Sequence, residues 1–174
     1  MKILALDISK KATGVAIGDG EGPPRTFSQG FKGDRAGAVG AAYAKWLRTL
    51  LVEERPALVA FEKPLMLSGP RAGAAVMRIL TGLGFTTEVV CEVAGVRYED
   101  VAVMTWRKLF LGHGRPADPK LAAINACQGH GWDVGEDDNQ ADACGVWAWA
   151  HFHHGNRKGI ISQLSRSPMR RMAG

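Results

Sequence analysis

The sequence predicts an α/β fold in which a mixed five-stranded sheet is flanked by helices on both faces. Three strand-like segments open the chain, strands and helices alternate after them, and apolar residues recur at helical spacing in the later segments. The length of 174 residues fits one domain, and the 46% hydrophobic content is ordinary for a globular protein.

Five segments have the composition of strands. KILALD, at 2–7, is apolar on both faces and is expected to be a central strand. TGVAI at 13–17 and TFSQGF at 26–31 should continue it as a meander. A fourth strand is predicted at 56–62 and a fifth at about 87–93.

Helical spacing marks most of the remaining chain. Asp34 is predicted to cap the first helix, and residues 68–70 to open the second. A short helix should run from Thr105 through Phe110, another should follow Asp118, and the last should start at Asp137 or Asp138. No period is sustained beyond about His151, so we expect a domain of residues 1–154 and a basic tail of residues 155–174.

Charge and cysteine content limit the partners and the compartment. A net charge of +5 and a pI near 9.3 indicate a polyanionic partner. The three cysteines lack CxxC spacing, which favours free thiols in a reducing cytoplasm and gives no zinc-site pattern with the histidines near residue 151. No apolar stretch is long enough for a bilayer, so no membrane partner is expected.

Four acids stand where they are predicted to meet. Asp7 and Glu62 end two apolar strands, and strand ends are where ligands collect in open α/β sheets. Asp138 and Asp142 are four residues apart and share one face of the last helix. Converging carboxylates repel each other unless a hard cation binds them, so we predict two Mg²⁺ or Mn²⁺ ions and phosphodiester hydrolysis.

Structural explanations compete with this prediction for single residues. Glu136 and Asp137 are most simply explained as acids that cap a helix, and the same explanation is possible for Asp138. Asp7 alone suits a turn with Ser9, and Glu62 alone suits an arginine partner. Only the joint arrangement of the acids favours a metal site.

The ordered motifs LALDISKKATGVAI, VAFEKP and DDNQADA resemble those of the ribonuclease H-like superfamily, and specifically of RuvC-type Holliday junction resolvases. The resemblance extends over most of residues 1–152, and phage-type members are the most similar. It implies a metal-dependent endonuclease that acts as a homodimer, cuts four-way DNA junctions symmetrically and works in the cytoplasm of a bacterial or phage-infected cell.

The resemblance also implies a ligand set. Asp7, Glu62 and Asp142 match the family's acidic ligands, with a fourth from the region of Asp138. Family members often place the fourth acid or histidine three residues before the last aspartate, where this chain has Asn139. We predict Asp138 as the fourth ligand, and Asn139 stays open as the alternative.

Further residues are predicted to act on DNA. The resemblance implies a catalytic lysine, for which Lys120 is the best match and Lys108 the second. Leu65 and Met66 are candidates for a wedge at the junction centre, or else they close the core. The full set of expected DNA contacts is Lys11, Leu65, Met66, Arg71, Arg107, Lys108 and Arg115.

Other functions remain to be weighed against a junction resolvase. The opening strands also suit one half of a sugar-kinase-like or actin-like ATPase, but such an enzyme needs a second phosphate-binding domain, and no nucleotide cofactor is expected here. A catalytically silent junction-binding dimer would not need Asp142 beside Asp7 and Glu62. A nuclease for flaps or forks, and an RNA-processing relative such as the YqgF group, share the same acids.

Overall fold

The structure is a computed structural model that describes residues 1–9, 11–64 and 74–165. The strands are β1 (Ile3–Asp7), β2 (Ala12–Gly18), β3 (Arg25–Gly30), β4 (Leu58–Glu62) and β5 (Arg97–Val101). The helices are α1 (Ala36–Glu54), α2 (Ala74–Ala94), α3 (Val103–Leu111), α4 (Pro119–His130), α5 (Asp138–His154) and α6 (Arg157–Leu164).

The five strands form one mixed sheet in the order β3-β2-β1-β4-β5. β1, β2 and β3 are an antiparallel meander, whereas β4 lies parallel to β1 and β5 lies parallel to β4. The predicted α/β class with a mixed five-stranded sheet is therefore confirmed. Parallel pairing of β1 and β4 brings the ends of these two strands to the same edge of the sheet.

The alternation of side chains along the strands divides the core in two. Leu4 and Leu6 of β1 pack in one cluster with α1 and α2. Ile3 and Ala5 point the other way, into a cluster with α3, α4, α5 and α6. Helices therefore cover both faces of the sheet, as predicted.

Small residues on the sheet let α5 lie close to it. Ala16, Ala5 and Ala60 are register partners on β2, β1 and β4, and all three belong to the α5 side of the core. One step nearer the sheet edge, Gly14 pairs with Asp7. A Cβ atom on Gly14 would lie 1.9 Å from the backbone oxygen of Asn139 in α5, so this position requires glycine.

The predicted strand at 87–93 is wrong, because these residues lie within α2. Leu83, Thr87 and Cys91 are spaced four residues apart and are all buried, which is helical rather than alternating spacing. The Thr87 hydroxyl shares a hydrogen bond of 2.7 Å with Tyr43 of α1. Packing against α1 thus overrides the β propensity of the valines and threonines. The fifth strand is β5, a charged segment at the edge of the sheet.

Two terminal features also differ from expectation. Arg35, not Asp34, occupies the N-cap of α1, and it makes no side-chain capping bond within the described part of the chain. Residues 157–164, within the segment expected to be a tail, form α6, whose Ile160 and Leu164 are buried in the core. The short apolar spacing of α6 was hidden by the basic residues around it.

A buried polar cluster joins α6 to the β2–β3 turn. The Gln163 side chain accepts a hydrogen bond from Trp132 and donates one to the backbone oxygen of Gly20. The His151 Nε2 lies 3.2 Å from the backbone oxygen of Gly18, and its Nδ1 accepts a bond from the Asn156 N–H. These contacts require the neutral ring with its proton on Nε2.

Within residues 1–9, 11–64 and 74–165, no helix has the length and apolar character needed to cross a bilayer.

We expect His151 to make the fold acid-sensitive. Burial lowers the pKa of His151 to about 4, from an unfolded value near 6.5. Its stabilising contribution is present above about pH 6.5 and is lost as the pH falls toward 4, because protonation of Nδ1 breaks the bond from Asn156. Between pH 7 and pH 4 the unfolding free energy should fall by about 3 kcal/mol more in the wild type than in His151→Gln. Urea denaturation across this range measures the difference, and parallel pH profiles would contradict the assignment.

Candidate active site

Asp7 and Glu62 lie side by side at one edge of the sheet. Leu6 and Phe61 are the last register pair of the parallel strands β1 and β4, and the two acids are the next residues. Asp7 continues the face of Ile3 and Ala5, which is the α5 face. Both acids are half-buried, beneath the first turns of α5.

Asp142 reaches the same place from α5. One carboxylate oxygen from each of Asp7, Glu62 and Asp142 lies within 4.8 Å of the other two. The start of α5 is fixed by Asp137, whose side chain accepts bonds from the backbone N–H groups of Asn139 at 2.9 Å and Gln140 at 3.1 Å. The predicted capping role of Asp137 is confirmed, and a bond of 2.7 Å from Ser28 ties this cap to β3.

Two consecutive residues of α3 hold two of the three carboxylates. The Trp106 indole N–H donates to Glu62 Oε2 at 2.8 Å. Arg107 Nη2 donates to Asp142 Oδ2 at 3.3 Å, and its guanidinium lies 5.1 Å from the centre of the Trp106 ring. The sequence predicted Arg107 as a phosphate contact but did not predict either carboxylate bond. The signal in the sequence for the Trp106–Glu62 bond was the tryptophan itself, because a buried indole N–H needs a hydrogen-bond acceptor.

Burial raises the pKa of all three acids, and repulsion between carboxylates adds to this at Asp7 and Asp142. The pKa of Asp7 is raised well above its usual value by desolvation and by the charges of Glu62, Asp142 and Asp138. Desolvation raises the pKa of Glu62, against the bond from Trp106. Desolvation raises the pKa of Asp142 to about 7, against the charge of Arg107. Without a cation, the cluster therefore holds protons near neutral pH.

The donor set fits a hard divalent cation. It consists of carboxylate oxygens alone, the type that Mg²⁺ and Mn²⁺ prefer. Asp142 Oδ1 is buried and has no hydrogen-bond partner among the described residues. A buried oxygen without a partner is unfavourable, and a bound cation would satisfy it.

Asp138 lies beside this group and is not one of its three members in the described structure. It is the first residue of α5, and its Oδ2 is 2.5 Å from Lys120 Nζ. Its charge nevertheless raises the pKa of Asp7 and of Asp142, so it is electrostatically part of the site. The choice between Asp138 and Asn139 as a fourth ligand stays a prediction.

The alternative role of Asp7 in a turn with Ser9 is not observed, because Ser9 bonds with Ala12 across the β1–β2 hairpin.

Among the described residues, the other predicted DNA contacts lie further from the three acids. Lys11 and Arg115 are exposed, and Lys108 lines an open cleft of about 610 Å³ with Trp149 and His153. Three predicted contacts lie outside the described residues: Leu65, Met66 and Arg71.

Solved structures of Holliday junction resolvases share this fold. RuvC from Thermus thermophilus matches with a TM-score of 0.66 at 18% identity, over 92% of this chain and 98% of that chain. T. thermophilus RuvC in complex with a Holliday junction substrate gives a TM-score of 0.68 at 14% identity, over 92% and 97% of the two chains. The yeast mitochondrial Holliday junction resolvase Ydc2 gives a TM-score of 0.60 at 9% identity, over 94% and 79%.

No protein-family model matches the chain, and no curated protein sequence matches it. The likeness to the solved structures establishes the fold over nearly the whole chain. The predicted RuvC-type, ribonuclease H-like fold is thereby confirmed. The acids Asp7, Glu62 and Asp142 were expected from this resemblance, and their convergence is an independent property of the structure.

We expect metal binding to release protons and to weaken as the pH falls. The metal-free carboxylates retain protons because their pKa values are raised, and a cation must displace these protons. Mn²⁺ affinity should therefore drop from pH 8 to pH 6, and the decline should steepen as the pH falls below the pKa of about 7 of Asp142. Calorimetric titrations in buffers of different ionisation enthalpy measure both quantities. An affinity that does not change with pH, with no proton release, would show that the acids are already ionised.

Proposed function

We propose that the protein is a metal-dependent endonuclease that resolves four-way (Holliday) DNA junctions by symmetric phosphodiester hydrolysis. The observation that carries this proposal is the convergence of Asp7, Glu62 and Asp142 within 4.8 Å, in a fold shared with Holliday junction resolvases. A module that only binds DNA has no use for three half-buried, converging acids whose pKa values are all raised.

The chain's own residues would divide the chemistry between them. Asp7, Glu62 and Asp142 would hold the metal, with Asp138 as the fourth ligand. Two Mg²⁺ or Mn²⁺ ions, when bound, would activate a water and neutralise charge at the phosphate. Lys120 is exposed beside Asp138, where its ammonium group can donate to a phosphate oxygen.

The charge balance supports a DNA partner. The net charge of the whole sequence is +5 although it includes the acids of the site, so the remaining residues carry an excess of positive charge. Exposed Lys11, Lys108 and Arg115 are suited to phosphate contacts, which position a duplex without reading its sequence. The T. thermophilus neighbour is itself in complex with a Holliday junction substrate, which favours a branched duplex as the substrate class.

We also propose that the protein acts as a homodimer. Phe85, Val89 and Val93 lie four residues apart on α2 and are exposed by 65%, 43% and 83%. Val89 and Val93 line an apolar groove between α1 and α2, and Val52 of α1, exposed by 66%, lines it from the other side. An apolar stripe of this kind is typical of an interaction surface, and a two-fold dimer is the commonest assembly. Two copies would present two active sites, as symmetric cutting requires.

The proposal predicts junction-specific cleavage that depends on Asp7. A labelled four-way junction should receive paired symmetric cuts with Mg²⁺ or Mn²⁺ and none with chelator, while a linear duplex of the same sequence stays intact. Asp7→Asn should lower the cleavage rate by more than about a hundredfold, because a metal ligand is lost, and should retain junction binding in a gel-shift assay.

Other outcomes of this experiment point to other functions. Cutting of flaps and forks as well would indicate a nuclease with broader structure selectivity, and cutting of RNA substrates alone would indicate an RNA-processing enzyme. Tight junction binding without cutting by the wild type in either metal would favour the silent binder. Full activity of Asp7→Asn would contradict the metal assignment.

Asp138→Asn is expected to slow cleavage more than Asn139→Ala. Asp138 contributes charge to the cluster, whereas Asn139 contacts Gly14 through its backbone, which the alanine variant keeps. Single-turnover rates on the junction compare the two variants. The opposite order of the two rates would make Asn139 the fourth ligand.

A further inference from the structure

We propose that Arg107 is the built-in counter-cation of the metal-free active site, displaced from Asp142 by the metal ion and then available to a DNA phosphate. The first half concerns only the protein and a metal ion. The second half rests on the proposed function as a DNA endonuclease.

The position of Arg107 is that of a counter-cation. Its side chain is only 18% exposed and points at Asp142, whose side chain is 16% exposed. Its charge lowers the pKa of each of Asp7, Glu62 and Asp142. Lys120, the other cation at the site, is 74% exposed and pairs with Asp138. Arg107 therefore lies among the half-buried acids as their counter-charge, whereas Lys120 forms its ion pair with the acid at their rim.

The contact between Arg107 and Asp142 is nevertheless a weak one. A strong arginine–carboxylate pair has two parallel hydrogen bonds at about 2.8 Å. Arg107 makes a single bond of 3.3 Å to Asp142 Oδ2. Within the part of the chain that the structure describes, its buried Nε and the buried Asp142 Oδ1 both have no hydrogen-bond partner. Each partner thus leaves a buried polar atom without a hydrogen bond. A pair bonded in this incomplete way is easier to separate than a fully bonded one.

A second contact keeps the guanidinium at the site when Asp142 is released. The Trp106 ring lies 5.1 Å from the guanidinium carbon, and Trp106 is itself buried and bonded to Glu62. A guanidinium over an aromatic ring keeps its donors free for a new acceptor. When a cation takes the Asp142 oxygens, a DNA phosphate held at the same site would be a new acceptor for Arg107.

This role has a measurable consequence for metal binding without DNA. Arg107 adds one positive charge beside the acids and therefore opposes a metal ion. Arg107→Gln should bind Mn²⁺ roughly five- to tenfold more tightly than the wild type, as expected for one charge removed at short range. If Arg107 only held Asp142 in place for the metal, its substitution would weaken Mn²⁺ binding instead of strengthening it.

Mn²⁺ titration followed by the electron paramagnetic resonance of the free ion tests the proposal. Lys108→Gln is the matched control, since it removes the same charge from the next residue of α3 and Lys108 is exposed. Its affinity should stay within about twofold of the wild type, because solvent screens an exposed charge. Arg107→Lys keeps the charge and should bind Mn²⁺ like the wild type. Melting curves in chelator establish that each variant is folded.

The outcomes separate this inference from the proposed function. An Arg107→Gln affinity equal to or weaker than the wild type, or no Mn²⁺ binding by either protein, overturns the counter-cation role. Tighter Mn²⁺ binding by Arg107→Gln, together with slower junction cleavage at saturating Mn²⁺, supports both halves. Tighter binding by a protein that cuts no nucleic acid would leave the counter-cation role standing and would refute the endonuclease.

Discussion

The close packing of α5 on the sheet is the contact on which the active site depends. Gly14, Asp7 and Glu62 lie in adjacent strands at the sheet edge, and behind them the alanines at 16, 5 and 60 form a second row on the same face. Neither row has a bulky side chain that would lift the helix. The first turn of α5 therefore rests on backbone at Gly14, and Asp142 comes within reach of the strand acids. Gly145 does the same further along α5, where a Cβ atom would lie 2.3 Å from the Trp106 ring, so α3 is drawn into the same layer.

This packing places like charges where they destabilise the metal-free fold. Three carboxylates meet in a partly dehydrated space, and each has a raised pKa as a result. The chain offsets the repulsion with one indole N–H and one guanidinium from consecutive residues of α3. Apolar residues at these positions would avoid the cost of burying charge, so the presence of the acids is an argument for function.

Much of this arrangement could be predicted from the sequence, and the failures have physical causes. Asp7 and Glu62 were identified because an acid that ends an apolar strand is costly unless a cation satisfies it, and parallel pairing brings the two together. The strand expected at 87–93 was wrong because valine and threonine favour strands, while the deciding contacts with α1 are distant in sequence. The bonds from Trp106 and Arg107 were missed because they depend on the rotation of α3, which is set by packing against Gly145.

The polar cluster of Gln163 and His151 has a consequence for the order in which the chain folds during synthesis. The β1–β3 meander is made first, yet the backbone oxygens of Gly18 and Gly20 receive their buried partners from residues more than a hundred positions later. The turn that they belong to therefore stays open to water until α5 and α6 leave the ribosome. Completion of the hydrophobic layer beneath α5 is thus one of the last steps in folding, and the carboxylate site is assembled with it.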